Sequence, residues 1–283
     1  MAIREYHRPS SPAEALALLQ RTEVTTVPLV PRPRPLALQD LKAQAVVDLS
    51  GLNLAYVSVE EGKVRLGAGT TLQTIVESPE LNAMLSGVIP KAARLAGHFG
   101  LRQMATLDGA LRSRKNLPEL TLALLALDAE AVVAKGDDSR AEMPLAEYLA
   151  FGASNAELLL EVKWALESGA NARMGLAVGR VGRAPRDGAA LAAAAVLRLE
   201  GRVCRRARVA LSHAGSAAEL LVALVPRLEG QEPTLSLIKS VAESVQASIE
   251  PMADYRASPE YRRELAGVLT RRALEAAWRR ASA

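Results

Sequence analysis

The chain has 283 residues, 49% hydrophobic, 3% aromatic and 23% charged, with a formal net charge of +4. That is enough for one large domain or two ordinary ones, with a core that must be built from Leu, Val and Ala. The single cysteine excludes an intrachain disulfide. A span of about 18 apolar residues is missing, which excludes a transmembrane helix, and the mild, mostly arginine excess forms no dense basic tract, which argues against nucleic acid as a partner.

The first residues, Met1 to Tyr6, lack the basic-then-apolar order of a signal peptide, so a cytoplasmic protein is expected. Ser11-Pro12-Ala13-Glu14 is a capping box with proline at the first helical position, and Leu16, Leu18 and Leu19 follow as apolar contacts. An extended piece over Val24 to Val30 leads into Pro31-Arg32-Pro33-Arg34-Pro35. Val46 to Leu49 reads as a strand. Tyr56 to Val59 and Val64 to Leu66 flank Glu60-Glu61-Gly62-Lys63 as a hairpin. Helices are expected from Thr71 through Val76, from Ser78-Pro79-Glu80, and from Pro90 to Ala96 with Gly97 as the stop.

A leucine-rich helix is expected over Pro118 to Leu127, then strands at Ala131 to Ala134 and Glu157 to Trp164. Ser168-Gly169-Ala170-Asn171 reads as a joint, so the chain divides into residues 1–169 and 170–283. Ala189 to Glu200, a turn at Gly201, and Val203 to Leu211 read as an antiparallel hairpin. Helices follow over Ala217 to Leu228, Leu235 to Ile249 and Ser258 to Arg280. In the last helix Tyr261, Leu265, Val268 and Leu269 share one face, and Arg279 and Arg280 suit its C-terminal dipole.

A search for self-contained chemistry finds no catalytic residues and no metal site. His7, His98 and His213 are scattered, without a second histidine at metal-ligand spacing, and read as surface or packing residues. Cys204 precedes Arg205-Arg206 and reads as structural; a thiol activated by arginine is the alternative. Asp137-Asp138 lies in turn-like sequence. No nucleophile elbow and no phosphate-binding Gly-x-x-x-x-Gly-Lys loop occurs.

A resemblance adds to this reading. Tyr6 to Ala15, Val47-Asp48-Leu49, Leu66 to Leu72, Leu124 to Glu130, Ser258 to Arg263 and Leu269 to Leu274 occur in an order and spacing that resemble the FAD-binding medium subunit of molybdenum hydroxylases, the carbon monoxide dehydrogenase and xanthine dehydrogenase group. The resemblance covers nearly the whole chain. It implies a mixed α/β fold: a two-subdomain FAD-binding domain of the PCMH or vanillyl-alcohol-oxidase-like type, then an α+β domain with an antiparallel sheet and helices. It also implies partners, a molybdenum-cofactor large subunit and an iron–sulfur small subunit. In such complexes FAD passes electrons from the iron–sulfur clusters to an acceptor.

The cofactor loops depart from the family pattern. Its first loop runs roughly Ala-Gly-Gly-Thr-Asp-Leu, and the matching positions here are Val30 to Pro35. Proline has no N–H and a fixed φ, so Pro31, Pro33 and Pro35 cannot form the glycine nest that converges on pyrophosphate. The second loop, typically Arg-Asn-x-Ala-Thr-Ile-Gly-Gly-Asn, is Arg102 to Ala110. Arg102, Ala105, Thr106 and Gly109 match; the first glycine is Asp108 and the asparagine is Ala110. A Ser-Pro-x-x-Asp pattern is reduced to the carboxylate of Glu119. Thr106 and Gly109 are thus the retained cofactor-binding candidates.

Arg32, Arg34, Arg112 and Arg114 are candidates for binding another anion, or for pairing with Asp108 and Glu119 in an emptied cleft. No cofactor is expected, with FAD the alternative if the site still functions. Three readings stand: a structural or interaction subunit of an oxidoreductase complex with FAD binding lost or weak, a working FAD electron-transfer subunit, and an arginine-based anion binder.

Overall fold

The computed structural model describes residues 3–31, 43–113, 119–136, 139–151, 157–166, 172–183, 188–215 and 221–283. In chain order the elements begin with β1 (Glu5–His7), α1 (Pro12–Leu19), β2 (Thr26–Leu29), β3 (Ala45–Asp48), β4 (Val57–Glu60), β5 (Lys63–Gly67), α2 (Leu72–Glu77), α3 (Pro79–Ala83), α4 (Val88–Arg94), α5 (Phe99–Met104), α6 (Leu107–Arg112) and α7 (Glu119–Ala126). They continue with β6 (Glu130–Lys135), β7 (Arg140–Pro144), α8 (Leu145–Phe151), β8 (Glu157–Ala165), β9 (Ala172–Val181), β10 (Leu191–Glu200), β11 (Val203–Leu211), β12 (Leu221–Leu224), α9 (Leu235–Ser248) and α10 (Pro259–Ser282).

The chain forms two compact units. The first joins residues 1–74, 96–113 and 129–164; the second joins 75–95, 114–128 and 165–283. The first holds a parallel three-stranded sheet, β1-β3-β2, and a five-stranded sheet, β4-β5-β8-β6-β7. Helix α1 seals part of this unit by burying Ala15, Leu16 and Leu19 against Val132, Ala134, Leu158 and Leu160. Its capping box forms with a variation. Ser11 Oγ accepts from the Glu14 N–H, but the Glu14 carboxylate reaches back to the N–H of Ser10, one residue before the cap. A register shift at Val132/Val133 sets Val132 opposite Glu161 and Val133 opposite Leu159, leaving Leu160 as the extra residue.

The second unit is built on the antiparallel sheet β12-β11-β10-β9. Strand β10 is central and buried along most of its length. Its Ala193, Ala195, Leu197 and Leu199 face a core shared with Ile238, Val241 and Val245 of α9 and Leu269, Leu274 and Ala277 of α10. Alternate residues point to opposite faces of a strand, so Ala192, Ala194 and Val196, also buried, face the other side. There α7, buried at every residue, lies across β9, β10 and β11. Helices on both faces explain the alanine run.

Most elements fall where the sequence places them, including the hairpin over 189–211 and the helices begun by Ser78 and Ser258. The helix expected over Ala217 to Leu228 is a correction. Leu221 to Leu224 form a strand paired with Arg208 to Leu211, and Pro226 to Leu228 form a 3-10 turn. The open edge of β11 supplies hydrogen bonds to this stretch, and Pro226 has no N–H with which to continue a helix. The face assigned to α10 also needs correction. Leu265 and Leu269 are buried, but Tyr261 and Val268 are exposed, while Arg262, Ala266, Thr270, Ala273 and Ala277 are buried instead. The joint at Ser168 to Asn171 and the Asp137-Asp138 turn lie outside the described residues.

Gly175 in β9 lets α10 approach closely. A Cβ there would lie 1.9 Å from the carbonyl oxygen of Ala277, which is backbone and cannot rotate away. Gly175→Ala is expected to lower stability by roughly 1–3 kcal/mol, the usual range for overpacking, read as a lower urea midpoint.

The segment before α10 is held by Arg262, which is 3% exposed. Its Nε donates to the Ala190 carbonyl at 3.0 Å, its Nη1 bonds the Met252 carbonyl, and its Nη2 pairs with Asp254 at 2.5 Å. Burial alone would raise the Asp254 pKa, but the bonds from Arg262 and the Arg256 N–H outweigh it and hold the carboxyl down to about 2. A depressed pKa stabilises the fold above the unfolded value and is lost as pH falls toward the folded one. The stability difference between the wild type and Asp254→Asn should therefore be constant near neutrality and shrink between about pH 4 and pH 2, as measured by denaturant titration across pH.

Candidate functional site

In the first unit, the turn from β5 into α2, Leu66 to Leu72, is pressed against the segment before β4. A Cβ at Gly67 would lie 2.2 Å from the Leu54 carbonyl oxygen, so only glycine fits. Thr70, fully buried, donates its hydroxyl to the Tyr56 carbonyl at 2.8 Å and accepts the Tyr56 N–H at 3.0 Å. The backbone N–H groups of Gly67 to Thr70 are spent inside the protein. Gly67 donates to Tyr56 at 3.0 Å, Ala68 to Leu160 at 2.8 Å, Gly69 to Leu54 at 2.9 Å and Thr70 to Gly67 at 3.0 Å.

The segment expected as a second cofactor loop is largely helical. Helix α5 ends at Met104, Ala105 is extended, and Thr106 caps α6. Its donors are also engaged. Thr106 N–H reaches the Pro31 carbonyl at 3.1 Å, Leu107 the Thr70 carbonyl at 2.9 Å, Asp108 the Ala68 carbonyl at 3.0 Å and Ala110 the Thr106 carbonyl at 2.9 Å. The Gly109 N–H goes to Thr106 Oγ1 at 3.2 Å. The retained pair Thr106 and Gly109 is thus brought together, as a helix cap.

Asp108, 4% exposed, sits in the first turn of α6. Arg112, one helical turn later, places its Nε 2.9 Å from Oδ1 and 3.0 Å from Oδ2. Burial would lower the Arg112 pKa, but the Asp108 charge, the nearby Tyr148 and the hydrogen bond to Asp108 together outweigh this and raise it. Burial, and then the Asp108 charge, push the Tyr148 phenol above its ordinary range.

Around this group lies a cavity of about 120 Å³ whose wall includes Pro31, Asp48, Gly69, Thr106 and Asp108 beside leucine, valine and alanine side chains. Asp48 accepts the Ser50 N–H at 2.9 Å and the Tyr6 hydroxyl. No basic side chain lines this cavity among the described residues.

Of the four arginines proposed for anion binding, Arg112 is engaged by Asp108, and Arg32, Arg34 and Arg114 lie outside the described residues. Glu119 is paired with Arg180 of β9 at 3.3 Å, and burial lifts its carboxyl above the usual range. His7 bonds Glu5 at 2.9 Å, His98 caps α5 through Nδ1, and His213 is buried. No cluster of metal-ligating side chains occurs among the described residues. Cys204 is fully buried and its thiol is pushed up to about 11 by burial and then by Glu229, which overturns the arginine-activated alternative. The sequence reading did not single out Asp48, or the Pro31 carbonyl as an acceptor. Proline loses its donor but keeps its carbonyl, which was the available signal.

A small parallel sheet and a five-stranded sheet in one unit, followed by an antiparallel sheet packed with helices, define the class: a flavoprotein-type FAD domain with its C-terminal domain. Residues 2–163 match the FAD binding domain in molybdopterin dehydrogenase, and residues 177–277 match the CO dehydrogenase flavoprotein C-terminal domain. The chain belongs to the molybdopterin dehydrogenase FAD-binding family. It is 27% identical over 286 residues to the carbon monoxide dehydrogenase medium chain of Hydrogenophaga pseudoflava, across 98% of this chain and 97% of that one. It is 25% identical over 284 residues to the glyceraldehyde dehydrogenase medium chain of Sulfolobus acidocaldarius, across 95% and 96%.

Among solved structures, the carbon monoxide dehydrogenase of H. pseudoflava matches with a TM-score of 0.84 and 26% identity over 98% of both chains. Quinoline 2-oxidoreductase of Pseudomonas putida matches in fold, with a TM-score of 0.82 at 22% identity over 99% of this chain and 98% of that one. No helix among the described residues is long and apolar enough to cross a membrane.

The Asp108–Arg112 pair makes a direct prediction. Arg112 is 13% exposed in its side chain, so Asp108→Ala strands a largely buried charge. A loss of about 3–5 kcal/mol is expected, with Arg112→Met in the same chain recovering much of it. A double-mutant cycle by denaturant unfolding measures both.

Proposed function

We propose that this chain is a structural or interaction subunit of a molybdenum-hydroxylase-type oxidoreductase complex, with FAD binding lost or weak. Its partners are a molybdenum-cofactor large subunit and an iron–sulfur small subunit, and its setting is the cytoplasm. Residues 1–169 supply the FAD-binding-type domain and residues 170–283 the C-terminal domain. The observation that carries the reading is the carboxylate of Asp108, buried at the cavity wall where the family pattern has glycine, and already tied to Arg112.

The described residues of the cleft fit a pyrophosphate poorly. The N–H groups at Thr106, Leu107, Asp108, Gly109 and Ala110 are all spent on protein acceptors. Asp48 and Asp108 both line the space, with no basic side chain beside them in its wall among the described residues. Hydrogen bonds to charged groups contribute about 1.5–3 kcal/mol each, so losing two or three weakens binding by roughly three orders of magnitude or more.

A working FAD-binding electron-transfer subunit is the second reading, favoured by the family match and by the retained Thr106 and Gly109. An arginine-based anion binder is weakened by the commitment of Arg112 to Asp108.

The absorbance spectrum of the purified chain separates these readings. Little or no flavin absorbance, and no thermal shift on adding FAD, are expected. Flavin recovered at one per chain would establish the electron-transfer reading instead.

A further inference from the structure

The second unit contains a larger cavity, of about 490 Å³, far in sequence from the cleft residues. It is bounded by the β10–β11 turn at Gly201 and Arg202, the start of β9 at Arg173, and the last turns of α10. Leu199, Trp278 and Ala281 give it an apolar lining. Gly201 has φ of +59, the left-handed conformation that glycine adopts freely, and nothing lies within 4 Å of where a Cβ would stand. Volumes of about 300–1,000 Å³ are usual for small-molecule sites.

Its charges are unequally matched. Arg202 pairs with Glu232 at 2.5 Å. Arg173 has the Ser282 carbonyl at 3.4 Å, and no carboxylate pairs with it among the described residues. Trp278, half-buried against the core of this unit, is one of only two tryptophans in a chain with 3% aromatic residues. An exposed guanidinium with no carboxylate partner among the described residues therefore shares the cavity wall with an indole and aliphatic side chains. A bare inorganic anion would leave that floor wet. A neutral ring would leave Arg173 unmatched. A flat ring bearing one anionic group satisfies both, the ring against the apolar wall and the anion on the arginine fork.

We infer that this cavity binds a small aromatic anion, an aryl carboxylate or a nucleoside monophosphate, with Arg173 holding the anionic group and Trp278 packing the ring. Nothing in this inference depends on whether the chain holds FAD.

Trp164→Phe leaves Trp278 as the sole tryptophan, and its emission can be followed during titration. Benzoate and AMP are the probes; benzyl alcohol, adenosine and inorganic phosphate are the controls. A saturable change with benzoate or AMP is expected, at least about tenfold weaker for the controls and for Arg173→Ala, the scale of one lost charged hydrogen bond. The probe that binds more tightly distinguishes the two sources. Calorimetric titration of the otherwise unsubstituted chain and its Arg173→Ala variant gives the same readout without touching buried Trp164. Changes that do not saturate, that match those of the neutral analogues, or that survive Arg173→Ala overturn the inference.

Discussion

Three backbone hydrogen bonds hold the β5–α2 turn to the start of α6: Leu72 N–H to Ala105, Leu107 N–H to Thr70 and Asp108 N–H to Ala68. Thr71 and Thr106 form an antiparallel bridge between them. The first unit depends on this short ladder because it joins two loops that would otherwise expose unpaired polar backbone. It also decides where side chains go. With its N–H fixed to Ala68, Asp108 presents its carboxylate at the cavity wall, and the helical turn that follows brings Arg112 into reach. The same bonds that make the turn rigid consume the donors a bound anion would need.

The second unit solves a different problem, a helix buried on every side. Helix α7 has no polar face, so its ends must be satisfied by the sheet beneath it. Arg180 pairs with Glu119 at its start. At its end Arg198 donates to the Leu127 carbonyl, and Asp128, in a left-handed conformation, pairs with Arg206 at 2.6 Å and Arg208 at 2.7 Å. Cations at a helix C-terminus complement its dipole. A shift of register between Arg198 and Leu199 opposes Arg198 to Arg206 and Leu199 to Cys204. That irregularity lets Cys204 and Ala207 both enter the core while Arg206 and Arg208 meet α7.

Family membership and site chemistry point in different directions, and the difference is informative. The frame of an FAD domain is preserved through both sheets, while Asp108 stands at its cleft where the family pattern has glycine. A fold hosts a function only through the residues placed on it. Here a carboxylate of the protein occupies the first turn of α6 and is neutralised internally by Arg112.

Much of this was readable from sequence. Alternation marked the hairpins, capping residues marked α1, α3 and α10, and segment order marked the family. Pairing of Asp108 with a nearby arginine was legible in the sequence, and Arg112 makes it at helical spacing; that Arg102 to Ala110 is largely helical was not, because it was read as a loop. Other features had no local signal. Leu221 to Leu224 suits a helix as well as a strand, and the open edge of β11 chose between them. Tyr261 and Val268 fit a helical stripe, yet the approach of α10 to Gly175 turned another face inward. Glu119 and Arg180 are far apart in sequence and meet only when the sheet forms. By itself, then, the sequence determined which segments could fold and that a proline and an aspartate stand at glycine positions, because caps, turns and periodicity act over a few residues. Tertiary structure alone decided which donors were spent, which charges were matched and which faces were buried, because those outcomes depend on partners supplied by distant parts of the chain.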